Sequence, residues 1–206
     1  MSQPAILSDI GNVLVTFDFK IAATRATEFS PHPAELLLTR LDPIKLPYEN
    51  GDMDDDTFVT EAIQLLEFRG TPDQFRHIWC DIFAENSAMD KTLLGLQGHL
   101  PMYLLSNTSG LHKDYLLSSF DIFRHFQGGV YSYSAKCSKP HASIFNVTAK
   151  ELSLDPERTF FIDDLEANIA TARELGFHTH HYQMSQHEAL EKDLAQWLEK
   201  QGVVTH

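Results

Sequence analysis

Cysteine is nearly absent: the 206-residue chain holds two, Cys80 and Cys137. They lie far apart, one beside Trp79 in a helical pattern and one in a polar loop. They read as reduced thiols and exclude a disulfide framework or a cysteine-ligated zinc site. Basic residues are also scarce. Lys and Arg total 16 against 29 Asp and Glu, a formal charge of −13, and a field of that sign repels nucleic acid and anionic membranes. No apolar run reaches transmembrane length, no signal pattern precedes the strand-like ILSDI segment, and neither a repeat nor a low-complexity stretch occurs. What remains is the expectation of a soluble, cytoplasmic protein, monomer or homodimer, with a small-molecule partner and length enough for a full core.

The apolar pattern divides the chain. Residues 5–8 and 13–17 read as strands around a polar turn at Asp9 to Asn12. From about Phe19 to Met89 apolar residues recur at three and four, as in Ile21-Ala22-Ala26, Ala34 to Leu41, Phe58-Ile63-Leu66 and Phe75-Trp79-Phe83, which predicts helices. Pro31, Pro33, Pro43, Pro47, Gly51, Gly70 and Pro72 cut this stretch into three or four short ones. Trp79, Phe75 and Phe83 have the spacing of a buried face. Beyond it, strands at Pro101 to Leu105, Gly129 to Tyr131, Thr159 to Ile162 and Phe177 to Tyr182 alternate with helices at Leu111 to Phe120, Ala142 to Leu152, Glu166 to Leu175 and Gln186 to Lys200. That alternation predicts an α/β fold: a Rossmann-like three-layer core with a parallel sheet, formed by 1–16 and 90–206, into which an all-helical cap of 17–89 is inserted.

Four polar segments punctuate the core in order: ILSDIGNVLV around Asp9, MYLLSNT around Ser106, SKPHASIF around Lys139 and TFFIDDLEAN around Asp163 and Asp164. Three of them follow an apolar run, which places their chemistry at the carboxyl ends of strands, where open parallel sheets bind ligands. Each alone has an ordinary explanation. A strand-end Asp is commonly a turn residue, Ser106-Asn107 and Asp163-Asp164 suit helix N-termini, and a lysine before Pro140 is commonly solvated. Together they offer a carboxylate nucleophile, a hydroxyl with an amide, one cation and an acidic pair. Those are the parts of a Mg²⁺-assisted transfer from a phosphate ester through an aspartyl phosphate on Asp9. Catalysis would fall to Asp9, Ser106, Lys139 and Asp163, and substrate binding to Ser106, Asn107 and Lys139.

The same four segments resemble the motifs of the haloacid dehalogenase-like hydrolase superfamily, in the subclass whose helical cap lies between the first and second motifs. DIGNVLV is similar to the DLGNV opening of a phosphatase branch that includes bacterial α-glucose-1-phosphatase. LLSNT, SKPHASIF and FIDDLEANIATARELGF, with Asn168, Ala172 and Gly176, are similar to the other three motifs. The resemblance implies Asp9 as nucleophile, and Mg²⁺ held by Asp9, the carbonyl of Gly11 and Asp164. It also implies that Asp163 holds a water or Lys139, while Ser106, Asn107 and Lys139 grip the phosphoryl group. The expected reaction is hydrolysis of a small phosphorylated metabolite such as a sugar phosphate.

Two positions depart from that pattern. Most phosphatases of the superfamily carry a second Asp where this chain has Gly11, and the lost proton transfer favours leaving groups that depart easily, such as sugar 1-phosphates, acyl phosphates and aryl phosphates. Lys136 stands where the branch usually has Gly, and reads as a solvated surface lysine or as added charge at the rim. In the cap, Tyr48-Glu49-Asn50-Gly51 reads either as a substrate-contacting loop or as a helix connection with Gly51 at a tight turn. His178, His180 and His181 alternate along a strand without acidic or cysteine partners at ligand spacing, so no second metal site is expected. Two other functions fit the motifs less well: haloacid dehalogenase-type hydrolysis, which has less use for clustered carboxylates, and a catalytically silent binding protein on the same fold.

Overall fold

The structure, a computed structural model, describes residues 3–203; the outermost ends of the expected core, 1–2 and 204–206, lie outside the described residues. In chain order the elements are β1 (Ala5–Ser8), β2 (Val15–Phe17), α1 (Phe19–Ala26), α2 (Ala34–Glu49), α3 (Asp55–Leu65), α4 (Pro72–Cys80), β3 (Phe83–Glu85), α5 (Ser87–Leu94) and β4 (Met102–Ser106). They continue with α6 (Gly110–Ser119), β5 (Gly129–Tyr131), α7 (Ser132–Ala135), α8 (Ala142–Glu151), β6 (Thr159–Asp163), α9 (Glu166–Glu174), β7 (His178–His181) and α10 (His187–Gln201).

Five strands form one sheet in the order β5-β4-β1-β6-β7, and every pair is parallel. β1 and β6 are buried along their whole length, as the apolar runs predict for strands covered on both faces. Successive side chains point to opposite faces. Ile6, Leu104, Phe160 and Ile162 therefore join one core with Met89 and Leu93 of α5 and Leu190, Leu194 and Trp197 of α10. Leu7, Leu105 and Phe161 join another with Ile144 and Phe145 of α8 and Ile169 and Ala172 of α9. The three layers follow from that alternation. The chain builds outward from β1 through β4 to β5, then crosses back to β6 and β7, so the order reverses at β1. The crevice at such a reversal opens at the carboxyl ends of the strands.

The helices α1 to α4 leave the chain after β2 and return at β3, where the two strands pair antiparallel. They carry their own apolar cluster, centred on Leu37, Leu41, Phe58, Phe75 and Trp79. Two details differ from the sequence expectation. Pro43 and Pro47 do not end the second helix: α2 runs through both to Glu49. Each proline removes one backbone donor, yet Leu37, Leu41, Ile44 and Tyr48 keep one face buried across them, and that packing outweighs the interruption. Phe83 is not on a helix either. Helix α4 stops at Cys80, and Phe83 is a half-buried residue of β3 opposite Phe17.

Lys136 ends α7 with φ 52° and ψ 33°, a left-handed conformation, and its side chain is exposed. The turn is a position where glycine meets no steric penalty. Lys136→Gly is expected to raise stability by about 0.5–1 kcal/mol, read as a higher urea midpoint at unchanged slope.

Candidate active site

Asp9 stands one residue beyond the end of β1, and its backbone N–H continues the ladder by donating to the Ile162 carbonyl at 2.9 Å. That bond sets it beside Asp163, the last residue of β6. Ser106 ends β4 on the other side of β1. Lys139 arrives from the loop between α7 and α8 and is buried. Its ammonium lies 2.9 Å from Asp9 Oδ1 and 2.6 Å from Asp163 Oδ2, and it donates to the Leu105 carbonyl at 2.8 Å. All three of its N–H bonds thus have acceptors.

Asn107 fixes where Lys139 sits. Its Oδ1 accepts from the Lys139 backbone N–H and its Nδ2 donates to the Lys139 carbonyl, both at 2.8 Å. Helix α6 is capped instead by Ser109, whose side chain accepts from the His112 N–H. Ser106 and Asn107 are therefore not the N-cap. Asp163 is saturated as well: besides Lys139 it accepts from the Leu165 N–H at 2.9 Å and from Asn168 Nδ2 at 2.8 Å. Asp164 accepts from Asn12 Nδ2 at 3.0 Å, and its carbonyl bonds to His181 Nε2 at 2.9 Å.

Oxygens of Asp9, Asp163 and Asp164 lie within 4.8 Å of one another. Three carboxylates against one ammonium leave the cluster two negative charges in excess, and buried excess charge is costly unless something positive joins it. A hard divalent cation fits that donor set and that charge. Both Asp163 oxygens are engaged, whereas Asp9 and Asp164 each have one oxygen bound, to Lys139 and Asn12, so these two acids could hold such an ion; no backbone hydrogen bond among the described residues ends on the Gly11 carbonyl. Burial pushes the Asp9 carboxyl up to about 6, Lys139 pulling it down and Asp163 adding to the rise. Burial opposes the charge of Lys139, but the Asp9 and Asp163 carboxylates outweigh it and hold the ammonium above the ordinary lysine range.

Beside these groups is a cavity of about 80 Å³, bounded on the sheet side by Gly11, Ser106, Asn107 and Thr108 and on the other by Phe17, Phe19, Glu49, Phe83 and His112. Sequence reasoning missed most of that second wall. Phe17, Phe19 and Phe83 carry no pattern distinguishing a cavity lining from a core, and His112 hides within a helical stretch. Burial pushes the His112 imidazole down to about 4. Ser132 is also unforeseen. It is fully buried, its Oγ accepts from the Thr108 N–H at 3.0 Å, and it lies 2.6 Å from the Glu49 carbonyl.

The Tyr48 to Gly51 turn divides between its two expected readings. Tyr48 is core: its ring stacks on Phe58 at 4.0 Å and its hydroxyl donates to Asp55 and accepts from the Leu111 N–H. Gly51 has φ +77°, and a Cβ there would come within 1.8 Å of the Tyr133 carbonyl oxygen, so the tight-turn account holds for it. Glu49 alone of these faces the cavity. The histidine tract does meet acids in the folded chain. His178 and His180 both contact Asp193, and His181 contacts Glu166. Among the described residues, however, the acidic trio is the one cluster with metal-ligand geometry.

A model of the haloacid dehalogenase-like hydrolase family matches residues 3–176. The chain belongs to this family. As a haloacid dehalogenase-like hydrolase it is 28% identical over 186 residues to D-ribitol-5-phosphate phosphatase from Bacteroides thetaiotaomicron, covering 84% of this chain and 89% of that one. Its fold is similar to that of a HAD family enzyme from Bacteroides thetaiotaomicron solved in complex with magnesium and inorganic phosphate, with a TM-score of 0.78 at 26% identity over 90% of this chain and 96% of that one. A predicted HAD-like hydrolase from Porphyromonas gingivalis matches with a TM-score of 0.76 at 26% identity, covering 93% of this chain and 98% of the other. The L-2-haloacid dehalogenase of Xanthobacter autotrophicus shares the fold alone, at 15% identity and a TM-score of 0.65. Among the described residues no helix is long and apolar enough to cross a membrane.

Proposed function

We propose that this hydrolase is a Mg²⁺-dependent phosphatase of small phosphorylated metabolites, working through an aspartyl phosphate on Asp9. The observation that carries the proposal is the shared Lys139 ammonium between Asp9 and Asp163, beside a cavity lined by Gly11, Ser106 and Asn107. It holds a carboxylate in place at the point where β1 ends and leaves the acidic trio matched to a divalent cation. Bound there by Asp9, the Gly11 carbonyl and Asp164, Mg²⁺ would screen the repulsion between two anions and polarise the phosphoryl oxygens. An Asp9 oxygen attacks phosphorus in line, and the bond to the leaving oxygen breaks. Lys139, Ser106 and Asn107 steady the phosphoryl oxygens, and water then attacks the aspartyl phosphate. Asp163 is a positioning residue that orients Lys139. Segment 17–89 serves as the cap that closes over the organic part of the ester.

The relative acting on D-ribitol 5-phosphate and the small, partly aromatic cavity favour polyol and sugar phosphates over nucleotides. Two unbridged thiols and the acidic charge fit a cytoplasmic enzyme that does not engage nucleic acid, as monomer or homodimer. The test is a phosphate-release screen over polyol 5-phosphates, sugar 1- and 6-phosphates, nucleotides and p-nitrophenyl phosphate, with Mg²⁺ and with chelator. Mg²⁺-dependent release from the small esters is expected. Silence across the panel with no Mg²⁺ binding by calorimetry would indicate a binding protein, and chloride release from a 2-haloacid without Mg²⁺ would indicate a dehalogenase.

A further inference from the structure

Gly11 cannot move a proton, and the cavity offers two ionisable side chains that could, Glu49 and His112. His112 is poorly suited. Its Nε2 faces the Trp79 carbonyl at 3.1 Å, an acceptor that holds the hydrogen on that nitrogen, and its ring stacks on Trp79 at 5.4 Å. The other nitrogen is left as an acceptor. Restoring a carboxyl at position 11 also meets an obstacle, since a Cβ on Gly11 would lie 2.9 Å from the Phe17 ring.

Glu49 closes α2, and the chain around it is fastened to α6 and α7 of the core. Its carbonyl accepts from Ser132 Oγ, which also binds Thr108 in the segment carrying Ser106 and Asn107. One residue before it the Tyr48 hydroxyl accepts from the Leu111 N–H, and two residues after it Gly51 packs against the Tyr133 backbone. The main chain of Glu49 is thus held beside the segment carrying Ser106 and Asn107, and Glu49 lines the same cavity as those two residues. We propose that Glu49 is the proton donor to the leaving oxygen, standing in for the acid that position 11 lacks. This rests on the phosphatase reading above. As the phosphorus–oxygen bond breaks, its electron pair stays on the leaving oxygen, which takes the Glu49 proton and departs as the alcohol. Water then attacks the aspartyl phosphate and both its protons leave with the inorganic phosphate as the Asp9 carboxylate is freed, while Glu49 regains its proton from solvent.

Burial raises the Glu49 carboxyl, while Lys45, one turn earlier on α2, lowers it. Across the cavity the facing ionisable group is His112 on α6, with Asp9 and Lys139 beyond Gly11 and Asn107. Burial thus acts in the direction a proton donor needs.

The experiment compares Glu49→Gln with the parent enzyme on a polyol phosphate and on 2,4-dinitrophenyl phosphate, whose leaving group needs no proton. Expected is a loss of roughly 10²-fold or more in kcat on the polyol ester, a change of under about 3-fold on the dinitrophenyl ester, and disappearance of the alkaline limb of the kcat/KM profile. The preference for easily departing groups implied by Gly11 then describes the variant, not the parent. Equal losses on both esters, or an unchanged pH profile, would overturn the proposal, because a merely structural role moves both esters together. Glu49→Ala is the second variant: formate added to the assay restores polyol turnover if the carboxyl alone was lost, and failure to restore it counts against the proposal. A parent enzyme silent on both esters would instead refute the phosphatase reading itself, and this assignment with it.

Discussion

Asp9→Asn is expected to slow phosphate release from every ester by roughly 10⁴-fold or more, as removal of a nucleophile does, while making the metal-free protein more stable. The second effect follows from the Asp9 carboxyl, which burial raises from 3.8 to about 6. A group raised on folding contributes stability that is complete below its unfolded value and is lost as pH rises through its folded one. At pH 7 the buried carboxylate is therefore a net burden, and the neutral amide relieves it by something on the order of 1–3 kcal/mol. Thermal melts of both proteins in chelator should show the variant higher, and the gap should vanish near pH 4, where the parent is protonated too. Mg²⁺ should reverse the order at neutral pH by stabilising the parent alone. Because proton and cation compete for the same carboxylate, Mg²⁺ affinity should fall as pH drops below about 6. A variant no more stable than the parent in chelator would mean that Asp9 is not held as a buried charge.

Lys139→Met is expected to have the larger effect on folding. The lysine is buried and is shared by two buried carboxylates at 2.9 and 2.6 Å. Removing one partner of a buried ion pair leaves uncompensated charge and costs about 3–5 kcal/mol. Here two acids and the Leu105 carbonyl lose their donor together. The variant should unfold at markedly lower urea concentration than the parent, and millimolar Mg²⁺ should recover part of the loss by supplying positive charge to the same trio. The companion Asp163→Asn keeps the hydrogen-bonding shape toward Leu165 and Asn168 but weakens the hold on Lys139. Recovery of Lys139→Met by Mg²⁺ to no extent at all would argue that the acidic trio does not hold the cation.

Much of this molecule is visible before folding is considered. The strands β1, β4 and β6 are continuous apolar runs because both faces are covered, and each ends at the polar residue where the sheet meets solvent. Local chemistry therefore marks Asp9, Ser106 and Asp163 as strand-end groups. Helix α9 is bounded by Gly176 at φ +92°, a local requirement that a glycine meets within its own turn. Such features are written in neighbouring residues, and periodicity reads them.

What depends on residues far apart in the chain is not written that way. The length of α2 through two prolines was decided by a buried face completed by α1 and α3. Asp163 was assigned to Lys139 by a contact 24 residues away, and the histidines of β7 found Asp193 and Glu166 only because α10 and α9 pack beside that strand. The cavity wall follows the same rule: Phe17, Phe19, Phe83 and Glu49 become neighbours when α1 to α4 close over the carboxyl end of the sheet. Sequence alone determined the type of each element and the chemistry at the strand ends, since both are set by local periodicity and side-chain class. The tertiary structure decided which charges pair, which oxygens stay open to a cation and which carboxyl faces the cavity, because those are set by distance across the fold.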